Sequence, residues 1–296
     1  MSTPFNARCQ TNVLLSEHCT FGIGGPAKFF CKVKTVAEMQ ALVAEAVNTS
    51  TPYMILGKGS NTLFDDRGFN GLVIANGIDF LENPEEDVWH VGGGYSFSLL
   101  GTQTARQGWS GLEFASGIPG TVGGAVYMNA GANGSETSEK LISVDFINEF
   151  GEFSCYTRDV LEFGNRFSSF QSMRGAIVGA TFRLIRFEGA RKRQLELFEY
   201  RKRTQPYNAK SAGCVFKNPY PASAGALIDR LGLKGLKIGG AEVSALHGNF
   251  IINEASAKAE DVFQLIQKIK QKVKAEMQID LEMEIRFISY QETPKL

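Results

Sequence analysis

Apolar positions along this chain recur with two periods, and each period marks a different element. Val36, Met39, Leu42, Val43 and Ala46 share one face of a 3.6-residue repeat, and Thr35 with Glu38 supplies a capping box ahead of them. The spacing predicts a helix over 35–47. After Pro52, Tyr53-Met54-Ile55-Leu56 reads as a short buried strand that runs directly into Gly57-Lys58-Gly59-Ser60-Asn61, residues that favour turns. A strand over 71–75 then closes a small βαβ-like unit near residue 76.

The middle of the chain reads as mostly β and rich in glycine. A strand over 88–91 precedes Gly92, Gly93 and Gly94, and a helix is expected from Ser96 to Gln107, stopped by Gly108. Residues 111–134 hold too many glycines for one unbroken helix, so the pattern predicts a long loop with one brief helix near 123–128. Residues 144–148 and the segment after Gly151 read as a hairpin, and 176–186 as a further strand. Past a boundary near 186–192, the charged stretch 191–203 reads as a helix with a solvated face that ends before Pro206. A helix over 224–231 ends at Gly232, and 249–253 reads as a strand. Val262, Leu265, Ile266, Ile269, Val273 and Met277 form the stripe of a helix over 257–277. In the last segment Leu281, Met283, Ile285 and Phe287 alternate with Glu282, Glu284 and Arg286, so one strand should project two carboxylates and a guanidinium from the same face.

Composition narrows the picture. With 296 residues, 43% hydrophobic and 21% charged, the chain reads as a folded protein of two domains or three small ones. Its 31 basic and 31 acidic residues cancel, so no overall field draws it to nucleic acid or to an anionic membrane. Five scattered cysteines and three histidines give neither a CxxC pair nor a zinc spacing, and no 18-residue apolar run or export signal is visible. A reduced, cytoplasmic protein without structural metal is expected. Glycine stands out at 32 residues, about 11% against a usual ~7%, which points to backbone approaching a ligand.

The segment 57–61 reads either as a tight turn or as a phosphate cradle, since small residues let backbone N–H groups converge on an anion. It matches neither GxxxxGK[ST] nor GxGxxG, so P-loop and Rossmann readings lose support. The second glycine segment, 117–134, strengthens the cradle: two such loops suit a long ligand such as a dinucleotide. Arg166 lies among apolar and small residues and suits an anionic substrate, or plain solvent. Cys214, in Ser211-Ala-Gly-Cys-Val-Phe-Lys-Asn-Pro219, is the only cysteine beside a glycine and a Lys-Asn-Pro turn; a buried inert thiol is its other reading. Glu282 and Glu284 read equally as edge-strand charges. The histidines form no nucleophile pairing readable from sequence.

Five segments occur together and in order: Thr20-Phe-Gly-Ile-Gly-Gly-Pro-Ala27, Leu56-Gly-Lys-Gly-Ser-Asn61, Gly111-Leu-Glu-Phe through Met128-Asn-Ala-Gly-Ala132, Gly213-Cys-Val-Phe-Lys-Asn-Pro219 and Leu281-Glu-Met-Glu-Ile-Arg286. In these, over roughly residues 12–288, the chain resembles the UDP-N-acetylenolpyruvoylglucosamine reductase family, flavoenzymes of bacterial cell-wall (peptidoglycan) synthesis. The short connection from Arg183 to Arg201 is similar to that of the family's compact subtype.

The resemblance implies an α+β fold: two FAD-binding subdomains of the vanillyl-alcohol-oxidase (PCMH) type, residues 1–76 and 77–188, and a C-terminal α+β substrate domain, residues 189–296. It puts the FAD pyrophosphate on Gly57, Gly59, Ser60 and Asn61, and the isoalloxazine along Ser116, Gly117, Ile118, Gly123, Gly124 and Ala125. It implies that NADPH reduces FAD and that hydride then passes to the enolpyruvyl methylene carbon of a UDP-sugar. Negative charge then develops at the substrate carboxylate and needs a cation, the role the resemblance gives Arg166. It gives Glu284 the role of a protonated polarising acid, and Cys214 that of general acid, a position filled by Ser in many relatives. A thiol is a far stronger acid than a serine hydroxyl, so the exchange keeps a competent donor. Asn165 stands where relatives usually carry Tyr. By spacing, Lys217 and Asn218 should lie near the substrate, and Lys202 and Arg203 near a diphosphate or the NADPH phosphate. Another FAD oxidoreductase of the same cofactor fold and a non-enzymatic nucleotide-binding protein are the alternatives.

Overall fold

In the computed structural model, which describes residue 5 and residues 8–291, the capping box forms as the sequence predicts. The Thr35 hydroxyl accepts from the Glu38 N–H at 3.2 Å, and the Glu38 carboxylate accepts from the Thr35 N–H at 3.1 Å. Helix α1 (Val36–Asn48) starts there and buries Met39, Leu42, Val43 and Ala46. It connects β2 (Pro26–Val33) to β3 (Tyr53–Leu56). With β1 (Gln10–Leu14) and β5 (Phe69–Asn76) these form a sheet of order β1-β2-β5-β3, in which β2, β5 and β3 are parallel. Ligands of sheets with parallel strands sit beyond the strands' carboxyl ends, and β3 delivers residues 57–61 there.

A second, fully antiparallel sheet has the order Phe153–Thr157, Leu141–Asn148, Gly175–Arg183, β7 (Val88–Gly92), β6 (Leu81–Glu85). The expected hairpin of 144–148 with the segment after Gly151 is its first pair. Ile147, Ala176 and Val178 of this sheet share one apolar core with Met39, Leu42 and Val43, so α1 is packed between the two sheets. Helix α2 (Phe97–Arg106) begins at Ser96, and the glycine-rich stretch contains one short helix, α3 (Val122–Tyr127), capped by the Thr121 hydroxyl.

After the expected boundary near 186–192 the chain turns back onto elements of this second unit. Helix α4 (Ala190–Thr204) packs on α2 and on the turn Glu113–Ala115 through buried Gln194 and Arg201, and its other charges lie on a solvated face. After it comes a four-stranded antiparallel sheet, Ser211–Cys214, Phe250–Asn253, Ala241–Val243, Lys237–Ile238, backed by α5 (Ala224–Arg230) and α6 (Ala259–Met277). Phe21, Ile23 and Leu63 complete the core of this third unit from the N-terminal side.

The final segment differs from the single strand its alternation predicts. Only Arg286–Ile288 joins a ladder, parallel to β4 (Thr62–Phe64) of the first unit. Before it the chain lies against 215–217: the Lys217 N–H donates to the Glu282 carbonyl at 2.9 Å and the Glu284 N–H to the Val215 carbonyl at 2.8 Å. Because the segment changes partners midway, its carboxylates part company. The Glu282 side chain is 72% exposed and the Glu284 side chain 15%. Among the described residues no helix is long and apolar enough to cross a membrane.

Candidate active site

A cleft of about 690 Å³ opens where the three units meet. Two glycine-rich segments line it. Gly57, Gly59, Ser60 and Asn61 come from the end of β3, and Gly117, Ile118, Gly123, Gly124 and Ala125 from the loop containing α3. The two walls touch: a Cβ on Gly57 would stand 2.6 Å from the Thr121 hydroxyl, and one on Gly120 would meet only the Ser60 hydroxyl, at 3.3 Å. Of the residues the resemblance assigns to FAD, Ser116 alone does not line the cleft. It is buried behind the wall, its hydroxyl 3.2 Å from that of Thr102.

Not every glycine here is kept free for a ligand. Gly59 has φ +57° and its Cβ would lie 2.7 Å from Cys19 Cβ and 2.8 Å from the His18 carbonyl, so the chain's own packing demands glycine. Gly124, by contrast, is exposed in the cleft, and a Cβ there would meet only Thr121 Oγ1, at 3.5 Å. Gly117, at φ +81°, lets α4 approach: Phe198 and Arg201 come within 2.9 and 3.0 Å of where its Cβ would stand. That approach places Arg201 in the cleft wall, where burial lowers its pKa and its Nε has no hydrogen-bond partner within the protein. A buried guanidinium with an unused donor suits an anionic or carbonyl-bearing ligand. Bare backbone on two walls and this orphaned donor fit a flavin dinucleotide.

Arg166, Cys214 and Glu284 line the same cleft. Arg166 sits in the two-residue turn between the strand pair Phe163–Gly164 and Phe167–Ser168, at φ +58°, a conformation uncommon for a residue with a side chain. Neighbours hold it there. Gln171 Nε2 donates to the Arg166 carbonyl at 3.0 Å, and the fully buried Asn129 donates to the Gly164 carbonyl at 2.9 Å and to Glu136 at 2.8 Å. The Arg166 guanidinium donates through Nε to Glu284 Oε1 at 2.6 Å and through a terminal nitrogen to the Gly131 carbonyl at 3.1 Å. Burial pushes the Glu284 pKa up and outweighs the pull of Arg166 and Lys217.

Cys214 reaches the cleft through a register shift between Ser211 and Cys214, with Gly213 at φ +77°. Such irregularities re-aim side chains beside active sites. Burial, helped by the Glu284 charge, pushes the thiol pKa up to about 12, while Arg166, Arg201 and a hydrogen bond from Asn249 act in the opposite sense. Tyr127 and Arg286, which sequence reasoning did not single out as a pair, also line the cleft. The Arg286 guanidinium lies 4.9 Å over the Tyr127 ring and donates to its hydroxyl.

Of the residues expected near substrate, Asn218 lines the cleft, and its Oδ1 accepts from the Ala224 N–H at 3.0 Å. The structure does not bring Lys217 or Lys202 into the cleft wall. Lys217 Nζ pairs with Glu282 at 2.7 Å, because neighbouring residues of an extended segment point to opposite sides. Lys202 is on the outer face of α4, paired with Glu199 at 3.1 Å, whereas Arg201 beside it faces inward. A periodicity count on α4 would have selected Arg201.

Comparison with known proteins covers both halves of the site. A profile described as FAD binding domain matches residues 27–154, and one described as UDP-N-acetylenolpyruvoylglucosamine reductase, C-terminal domain matches residues 205–288, beginning just after α4. The chain is 60% identical over 281 residues to the UDP-N-acetylenolpyruvoylglucosamine reductase of Protochlamydia amoebophila, covering 95% of this chain and 94% of that one. It is 46% identical over 288 residues to that of Chlamydia abortus, covering 97% and 96%. The crystal structure of UDP-N-acetylenolpyruvylglucosamine reductase from Thermus caldophilus matches with a TM-score of 0.81 and 38% identity, over 95% of this chain and 98% of that one. An FAD-binding half closed by a C-terminal domain of this kind defines a flavin-dependent oxidoreductase. The chain belongs to the UDP-N-acetylenolpyruvoylglucosamine reductase family.

Proposed function

We propose that this protein reduces UDP-N-acetylenolpyruvoylglucosamine to UDP-N-acetylmuramate with NADPH, a step of peptidoglycan precursor synthesis, while the two glycine-rich walls hold FAD. The observation that carries this reading is the convergence of Arg166, Glu284 and Cys214 on the cleft those walls line. When bound, FAD would supply the redox chemistry that carries hydride from NADPH to the methylene carbon of the enolpyruvyl ether. The net change adds one hydride and one proton across the carbon–carbon double bond and converts NADPH to NADP⁺.

The remaining work falls to the chain's own residues. Hydride addition at the methylene leaves negative charge on the α-carbon and the carboxylate, and Arg166 provides a preorganised cation for it. Only part of its donor fork is engaged by Glu284 and Gly131, so it can still grip a carboxylate. Burial, which raises the Glu284 pKa, favours the acid form that a polarising donor beside that charge needs, since an ionised carboxylate there would repel it. Cys214 gives its proton to the α-carbon. With its pKa near 12 the thiol is fully protonated at neutral pH, and the thiolate it leaves is met by Arg166, Arg201 and Asn249. Asn218 contacts substrate from the cleft wall, whereas Lys217 meets it only by leaving Glu282.

The visible spectrum of purified protein tests the reading. A flavin band that bleaches under NADPH and returns on adding the enolpyruvyl sugar nucleotide is expected. Colourless protein that takes up no FAD, or a band that stays bleached, refutes it.

A further inference from the structure

The segment carrying Cys214 has the segment carrying Glu284 on one side and Asn249 on the other. Phe216 forms an antiparallel bridge with Met283, but the hydrogen bonds of that bridge run through Lys217 and Val215, on either side of Phe216. The Phe216 N–H and carbonyl therefore point the opposite way. There the Asn249 side chain, 2% exposed, satisfies both: its Oδ1 accepts from the Phe216 N–H at 2.9 Å, and its Nδ2 donates to the Phe216 carbonyl at 2.8 Å. The Asn249 carbonyl accepts from the Val215 N–H at 2.8 Å, and its carboxamide acts on the Cys214 thiol in the sense that lowers its pKa. One carboxamide thus stands in for a missing strand beside Phe216, with Cys214 two residues before it and Glu284 held to Val215 on its far side.

We propose that Asn249 is a positioning residue that fixes the Cys214 thiol and the Glu284 carboxyl in one frame and supplies a donor to the Cys214 sulfur as its proton departs. The proposal rests on reading Cys214 as the proton donor. Removing the carboxamide strands two buried backbone groups and loosens the segment that both acids share. A displacement of about an ångström there costs on the order of a hundredfold in rate. Flavin reduction by NADPH, which needs neither acid, is spared.

Asn249→Asp preserves shape and the acceptor for the Phe216 N–H but removes the donor; Asn249→Ser removes both contacts and serves if the first variant does not fold. Three readouts on FAD-loaded protein are compared with wild type: flavin reduction by NADPH, reoxidation by the enolpyruvyl substrate, and alkylation of Cys214 by iodoacetamide, followed by peptide mapping. Reduction within twofold of wild type, reoxidation slowed about thirtyfold or more, and Cys214 alkylation slowed about tenfold at fixed pH are expected for a residue that places the acid and favours its thiolate. Equal loss in both half-reactions, or alkylation unchanged or faster, overturns the proposal and makes Asn249 a packing residue only. If Cys214→Ala reoxidises as fast as wild type, the donor reading itself fails, and the alkylation rates still decide whether Asn249 governs the thiol.

Discussion

Glu284 Oε1 lies 2.6 Å from Arg166 Nε although 118 residues separate the two in sequence. The contact joins a turn of the second unit to the segment that links the third unit back to the first. Of the two carboxyls on that segment, Glu284 lines the cleft and Glu282 does not. Glu284 is half-enclosed beside Arg166, while Glu282 points to solvent and pairs with Lys217.

Glu284→Gln keeps shape and a donor but removes acidity, so flavin reoxidation by substrate should fall by about a hundredfold or more. Glu282→Gln should stay within about twofold, since an exposed ion pair contributes little. Stopped-flow reoxidation of pre-reduced enzyme measures both. A larger defect in Glu282→Gln would reassign the role.

Arg166→Lys keeps the charge but loses the planar fork, and with it the simultaneous contacts to Glu284 and the Gly131 carbonyl. We expect kcat/KM for the enolpyruvyl substrate to drop about a hundredfold, through both KM and kcat. Steady-state kinetics that show only a raised KM would limit Arg166 to ground-state binding.

The Cys214 thiol, with its pKa pushed up to about 12 by burial, holds its proton well into the alkaline range. A raised pKa favours the neutral form, so donor capacity is present below about 12 and lost only as pH passes that value. Between neutrality and about pH 10, wild type and Cys214→Ser should therefore show parallel reoxidation profiles. An alkaline decline in wild type that the Ser variant lacks would mean the thiol titrates much lower.

The two kinds of glycine in the walls separate by substitution. Gly124→Val fills cleft space while its Cβ makes only ordinary contact with Thr121 Oγ1, so the protein should fold with little change in Tm in its FAD-free form and fail to hold FAD. Gly59→Ala meets Cys19 and His18 at a left-handed φ, so Tm itself should fall, by about 1–3 kcal/mol of stability. Flavin content after gel filtration and thermal melts of FAD-free protein check both; full FAD retention by Gly124→Val would move the cofactor off that wall.

Local signals explain why much of this could be read from sequence. The Thr35 and Glu38 box, the brief helix in the glycine-rich stretch and the stripe of α6 are encoded within a few residues each, and all appear at nearly the expected places. The 281–287 segment misled because strict alternation presumes one continuous sheet, whereas its neighbours change from 215–217 to β4. Lys217 and Lys202 stand near Cys214 and the end of α4 in sequence, but strand and helix phase turn their side chains to Glu282 and Glu199. Asn249 carried no signal, because its role depends on backbone groups of Phe216, 33 residues away.

The most direct test of Cys214 as proton donor compares the two half-reactions in Cys214→Ala. Reduction of bound FAD by NADPH should remain within about twofold of wild type, while reoxidation by UDP-N-acetylenolpyruvoylglucosamine should slow by about a hundredfold or more and recover substantially in Cys214→Ser. Equal losses in both half-reactions, or undiminished reoxidation in the Ala variant, would contradict the assignment.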